Sequence, residues 1–409
     1  MRAELCEGLT VLQERVGAIR GVPDAQPASG GAGTYLRDLG PALFGLATSG
    51  LFLGFPETLL PDPSLDVPSL GLFLWLFLTI LWCTFGMVLR AESLGEMLGE
   101  PYGTLLLTLS VITVELSLIA AVMILGDNQP TLARDTMFSV LMIVLNGMVG
   151  LALLFGGLRF GEQHYNLQGA KAFLGVLVAL SVLTLVLPNF TVSTELPEFT
   201  RTQAVFFAAM TITLYGVFLA IETVRHRNQF LQPGRPAQPA RPDPLAYDET
   251  GRARRRAEVR SIPYHALLLL LTMLPVLLLA KELGAFVDFG IETLRAPVEL
   301  GGVVIAVLVL APEGLGAHRA VLGNRLQGAV NTLLGSSLAT VGLIVPTVLA
   351  LGVVLDLPVE IGLAPVEMVL LMLTLAVGTL TFGGGRTNIL HGAIHLTVFF
   401  AFLVLLFEP

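Results

Sequence analysis

Residues 102–125 read YGTLLLTLSVITVELSLIAAVMIL, an apolar run in which Glu115 is the one charged side chain. As a helix the run rises about 36 Å, enough to cross the roughly 30 Å hydrocarbon core of a bilayer. Glu115 then lies about 20 Å of helix rise from the start of the run, well inside the hydrocarbon. An ionised carboxylate facing lipid at that depth costs about 3 kcal/mol or more. The side chain therefore faces protein or a water-filled cavity, and is neutralised by a proton, a partner or a bound cation.

The rest of the chain supports reading this run as a membrane span. Of 409 residues, 54% are hydrophobic and 13% charged, against about 25% charged in soluble domains, and the mean hydropathy is +0.79. Most cytosolic enzyme classes are excluded by that balance. The two cysteines, Cys6 and Cys83, are too few and too differently placed for a disulfide framework or a thiolate metal site. Nucleic acid is not an expected partner. Further apolar stretches occur near 39–56, 69–89, 136–157, 171–188, 203–222, 263–281, 297–312, 328–352, 365–384 and 388–407, which with 102–125 makes eleven. They are too long and too uniformly apolar for barrel strands. The expected fold is an all-α polytopic membrane protein with about eleven transmembrane helices.

Residues 1–38 are polar, with no secretory signal, and are expected to form a cytoplasmic tail. An extra transmembrane helix over 39–61 follows. With the N-terminus inside, 19 of the 23 basic residues fall on the cytoplasmic side, nine of them arginines between Arg225 and Arg260. That predicts a cytoplasmic N-terminus and an external C-terminus. The segment 225–262, with QPGRPAQPARPDP and RARRR, reads as a flexible Pro/Arg-rich cytoplasmic linker. Five spans precede it over 69–224 and five follow over 263–409. Two successive sets of five spans have opposite orientations, which is the inverted-repeat plan of many secondary transporters.

Each half should then carry a matching polar interruption. In the second half VVIAVLVLAPEGLGAHRAV places Glu313 behind Pro312 and before Gly314 and Gly316. Pro312 removes a helical hydrogen bond and frees the carbonyl of Leu308, so carboxylate and carbonyl together outline a hard-oxygen cation site. A single offset of 198 carries Glu115 onto Glu313 and Ser139 onto Ser337. The spans TMFSVLMIVLNGMVGLALLFGG and GAVNTLLGSSLATVGLIVP add Asn146, Asn331 and Ser336 as polar groups suited to ligation or to close helix packing.

The strings GEPYGTLLLTLSVITVELSLI, PTLARDTMFSVLMIVLNGMVG, LLFGGLRFGEQHYNLQGA, LAPEGLGAHRAVLGNRLQGAVNTLLGSSLATVGLIVP and GGRTNILHGAIHL resemble the ChaA-type bacterial calcium/proton antiporters of the cation/Ca²⁺ exchanger superfamily. The resemblance runs from about Glu92 to Phe407. It implies ten core helices in two inverted five-helix repeats, exchange of Ca²⁺, or of Na⁺ or K⁺ in some members, against H⁺, and residence in the bacterial inner membrane. The family's two acids map onto Glu115 and Glu313, and its Gly-Ser-Ser onto Gly335, Ser336 and Ser337. The chain departs from vacuolar-type relatives in having Val111-Ile112 and Ala311-Pro312 where they carry Gly-Asn, and its central loop is basic rather than acidic.

Two converging carboxylates in a low-dielectric cavity favour protons, and a cation reverses that preference. Ca²⁺ takes roughly six to eight oxygens, for which Glu115, Glu313, Ser139, Ser336, Ser337, Asn146, Asn331 and the Leu308 carbonyl are the expected cation- and proton-binding donors. No resident cofactor is expected, only the transported cation and H⁺. Glu367 in APVEM is a secondary candidate, and His395, one turn from His391, is another; both also suit packing or interfacial roles. An intramembrane enzyme is a remote alternative, since H-E-x-x-H and G-x-S-x-G are absent. A channel would need a continuous polar lining rather than isolated acids.

Overall fold

The computed structural model describes residues 32–55, 67–98, 112–113, 115–116, 119, 130–230, 232–233, 262–297 and 299–408. Residues 1–31, most of the third span and linker residues 234–261 lie outside them. The described helices are α1 (Ala32–Gly54), α2 (Val67–Leu98), α3 (Leu132–Phe160), α4 (Leu167–Phe190), α5 (Arg201–Thr223), α6 (Ile262–Leu294), α7 (Leu300–Leu322), α8 (Leu326–Leu355), α9 (Pro365–Thr381) and α10 (Ile389–Phe407). Ile112, Thr113, Glu115, Leu116 and Ile119 of the third span are helical as well. Eight of the helices, α2 to α8 and α10, are long and apolar enough to cross a membrane, and α9 is a shorter apolar helix. The chain is a multi-pass, nearly all-helical protein.

Apolar side chains gather in two bodies. The larger runs through α3, α4, α5, α7, α8, α9 and α10 and includes Ile112 and Ile119 beside Glu115. The smaller is built from Phe52 of α1, Leu76, Ile80 and Met87 of α2, and Val276, Leu279 and Leu283 of α6, closed by Ile305, Leu308 and Val309 of α7. Helix α7 is thus common to both. In the smaller body α1 lies close against its neighbours: the Cys83 thiol donates to the Pro41 carbonyl at 3.2 Å, and Trp75 Nε1 donates to Thr48 Oγ1 at 3.2 Å.

Four π-helical turns occur among the described residues: Ile143–Met148 in α3, Val182–Val186 in α4, Ile221–Arg225 at the end of α5 and Thr340–Ile344 in α8. The offset of 198 read from the acids carries the α8 turn onto residues 142–146, overlapping the α3 turn. By contrast α7 runs unbroken from Leu300 to Leu322 with Pro312 inside it. The lost hydrogen bond expected at Pro312 leaves the helix continuous, with α7 packed into both apolar bodies.

At one end of the bundle a two-residue β ribbon pairs β1 (Gln163–His164) with β2 (Arg386–Thr387). Around it amides converge. Gln163 Nε2 donates to the Val321 carbonyl and to Asn324 Oδ1, Gln327 accepts from the Asn166 amide, and Gln327 N donates to Gln232 Oε1. This polar end ties together the α3–α4, α7–α8 and α9–α10 connections.

Helices α3 and α7 touch where α7 has no side chain. A Cβ on Gly302 would come to 3.0 Å of the Asp135 carbonyl carbon and the Thr136 nitrogen, both rigid backbone. Gly302→Val is therefore expected to force α3 from α7 and lower the melting temperature in detergent by several degrees, a loss of about 1–3 kcal/mol. Gly175→Ala, which meets nothing within 4 Å, is the control and should melt like the parent.

Candidate functional site

Helix α8 carries Ser336 and Thr340 four residues apart, on one face and about 6 Å apart along the axis. Each hydroxyl donates to a different carboxylate. Ser336 Oγ reaches Glu313 Oε2 at 2.7 Å, and Thr340 Oγ1 reaches Glu115 Oε2 at 3.1 Å and Oε1 at 3.4 Å. The acids expected from opposite halves are thereby held by adjacent turns of one helix face. Glu115 is sealed, with 2% of its surface exposed, whereas Glu313 and Ser336 are half-buried.

The arrangement follows from local chemistry. A serine or threonine inside a helix usually returns its hydroxyl to the carbonyl four residues earlier, as Ser337 does to Leu333 at 3.1 Å and Thr347 to Leu343 at 2.8 Å. Thr340 opens the π-helical turn, and its hydroxyl goes to Glu115 instead. Towards the start of α8, Gly328 and Thr332 are exposed and Gly335 is half-buried. Small or polar residues on that strip leave room beside Glu313 where lipid-facing helices would carry large apolar groups.

The other expected donors are distributed as follows. Ser139 is fully buried and, like Thr136 one turn before it, its hydroxyl has no hydrogen-bond partner among the described residues. Leu308 packs its side chain among α2 and α6, a turn above Glu313. Asn331 is not brought to the acids: it accepts from Gln327 Nε2 at 2.7 Å and donates to the Phe230 carbonyl at 2.7 Å, within the polar end. Asn146 is engaged with Thr374 and His395. Glu367 accepts from the Ala364 amide at 2.9 Å and so caps its own helix. His391 accepts from the Asn388 amide at 3.2 Å in the first turn of α10, separately from His395. Glu162 pairs with Arg386 at 3.4 Å on the surface. Among the described residues no three His, Cys, Asp or Glu side chains converge on a metal position.

The family profile described as sodium/calcium exchanger protein matches residues 68–224 and again 264–408. The chain belongs to the sodium/calcium exchanger protein family. It is a transporter and not an enzyme. The two matched segments coincide with the halves on either side of the linker. A protein of Sinorhizobium fredii named as a proposed ionic transporter, y4hA, is 42% identical over 322 residues, covering 78% of this chain and 84% of that protein. The sodium-potassium/proton antiporter ChaA of Escherichia coli is 37% identical over 328 residues, covering 80% of this chain and 86% of ChaA, in keeping with the ChaA-type resemblance. Among solved structures, native YfkE superposes with a TM-score of 0.67 at 17% identity, over 90% of this chain and 100% of YfkE. The H⁺/Ca²⁺ exchanger CAX gives 0.60 at 14% identity, over 90% and 89%. The fold is the one these structures share.

Thr340 was not among the residues expected at the site. Its spacing of four from Ser336 was visible, but that its hydroxyl turns to an acid on another helix was not. Thr340→Val leaves a buried carboxylate without its donor, a change of about 1–3 kcal/mol. The cation concentration for half-maximal transport in proteoliposomes is expected to shift by about tenfold, and by less than about twofold for Ser337→Ala, whose hydroxyl is spent on its own helix.

Proposed function

We propose that this chain is a secondary cation/proton antiporter in which Glu115 and Glu313 hold either a cation or protons, and in which access changes side only when the pair is neutralised by one or the other. The observation that carries this reading is the convergence of the two carboxylates on Ser336 and Thr340 of α8. Two acids with one hydroxyl donor each and, among the described residues, no basic partner bind a hard cation or take up protons in its place. Ca²⁺ suits the pair by charge, with the unpartnered Ser139 hydroxyl, the Leu308 carbonyl and water as further oxygens. Exchange of Na⁺ or K⁺ for H⁺ is a second reading, supported by the name of the 37% identical relative in Escherichia coli.

The wider arrangement belongs to the same proposal. The chain sits in the bacterial inner membrane with its N-terminus cytoplasmic and its C-terminus outside, the extra helix α1 (Ala32–Gly54) preceding inverted repeats over 69–224 and 263–409. The two matches to one family profile and the shared register of the π-helical turns of α3 and α8 support the repeat plan.

Proteoliposomes with a pH-sensitive dye inside, offered Ca²⁺, Na⁺ and K⁺ in turn, test the function. Protons should move against the added cation, and Glu115→Gln or Glu313→Gln should abolish the movement. Cation uptake that proceeds without any proton flux would remove antiport; unaltered exchange in both variants would remove the site. Because cation and proton compete for the same oxygens, the half-saturating cation concentration should rise as pH falls, by up to about tenfold per pH unit for each proton displaced. Steady-state uptake measured between pH 6 and 9 checks the sign.

A further inference from the structure

A π-helical turn breaks the helical hydrogen-bond register, so a turn of this kind needs support from its surroundings. In α3 that support centres on Asn146, which is fully buried in the middle of the turn. Its Nδ2 donates to Thr374 Oγ1 of α9 at 2.8 Å, and its Oδ1 faces His395 Nδ1 of α10 at 3.3 Å. The other ring nitrogen of His395, Nε2, lies 3.0 Å from Thr381 Oγ1 at the end of α9. Thr374 passes its own proton to the Leu370 carbonyl at 2.7 Å. A neutral imidazole that donates from Nδ1 and accepts from the Thr381 hydroxyl satisfies every one of these groups. His395, 1% exposed, is thus a two-ended connector joining α3, α9 and α10.

The turn has a second face. Gly147 lies against the Phe399 ring and Gly150 against Leu396, so α3 is flush with α10. On the other side Met148, the last residue of the turn, meets Gly314: a Cβ there would stand 2.9 Å from Met148 Cε. Gly314 directly follows Glu313. Any change in the turn is therefore delivered by contact to the helix residue next to the acid.

Comparison of the two halves sharpens the point. The turn in α8 gives its first hydroxyl, Thr340, to Glu115. At the matching register α3 has Met142, and its polar residue Asn146 points its bonds at α9 and α10. One turn serves its acid by a hydrogen bond and the other by packing.

We propose that His395 is a positioning residue for the cation site, holding the π-helical turn of α3 through Asn146 and, through Met148 against Gly314, setting where Glu313 sits. The inference rests on Glu313 as a cation ligand. In His395→Phe the buried Asn146 carbonyl loses its donor, so the half-saturating cation concentration in proteoliposomes should rise about tenfold while maximal turnover changes less than about threefold. His395→Gln, which can still donate to Asn146, should return to within about threefold of the parent. Hydrogen exchange on the full chain should quicken across residues 143–148 in His395→Phe and return in His395→Gln. Should His395→Phe fail to fold, Met148→Ala removes the contact with Gly314 without burying a polar group and should give the same rise in half-saturation. Unchanged half-saturation in a folded His395→Phe or in Met148→Ala, or a Gln variant as impaired as the Phe variant, overturns the proposal. If the parent protein moves no protons against any cation, the antiport reading fails, and exchange across 143–148 still decides whether His395 holds the turn.

Discussion

A carboxylate inside hydrocarbon has to be answered by something, and the architecture is organised around two of them. Among the described residues neither is paired with a lysine or arginine; each has one hydroxyl from the same face of α8. A salt bridge would have fixed both charges permanently and at high desolvation cost. A single neutral donor leaves the remaining lone pairs open, so that the acid keeps its capacity for a proton or an ion. Ser336 in the regular part of α8 and Thr340 at the start of its π-helical turn both turn their hydroxyls outward to an acid rather than back to their own helix.

Helix α7 connects this chemistry to the rest of the molecule. Its first half packs against α2 and α6 through Ile305, Leu308 and Val309, and its second half carries Glu313 into the larger body of helices. Proline inside a helix commonly interrupts it, yet α7 continues through Pro312. The missing N–H leaves the Leu308 carbonyl without its usual donor. Backbone regularity and an available oxygen coexist there.

Much of this was legible in the sequence, and the boundary of legibility has physical causes. Glu115 declared itself by depth, since burial of a charge is costly whatever surrounds it, and Glu313 by the proline and glycines around it and by the resemblance. Ser336 followed from the resemblance, and the offset of 198 carries the π-helical turn of α8 onto that of α3, although the turns in α4 and α5 have no counterpart at that offset. Asn331 and Asn146 were read as cation donors because an amide in an apolar span needs partners. Those partners turned out to be the Phe230 carbonyl and a histidine 249 positions away, which spacing along one helix does not reveal. Thr340 went unnoticed for the opposite reason: a threonine in a helix ordinarily satisfies itself and asks for nothing.

The unequal exposure of the two acids has its own consequence. Glu313 and Ser336 are half-buried beside a strip of small residues, while Glu115 is buried and bonded to Thr340. Under the proposed function, an ion coming from the more exposed acid would surrender its hydration shell in two stages, part of it at Glu313 and the rest at Glu115. Occupancy would then be ordered in time, the outer oxygens filled first and vacated first.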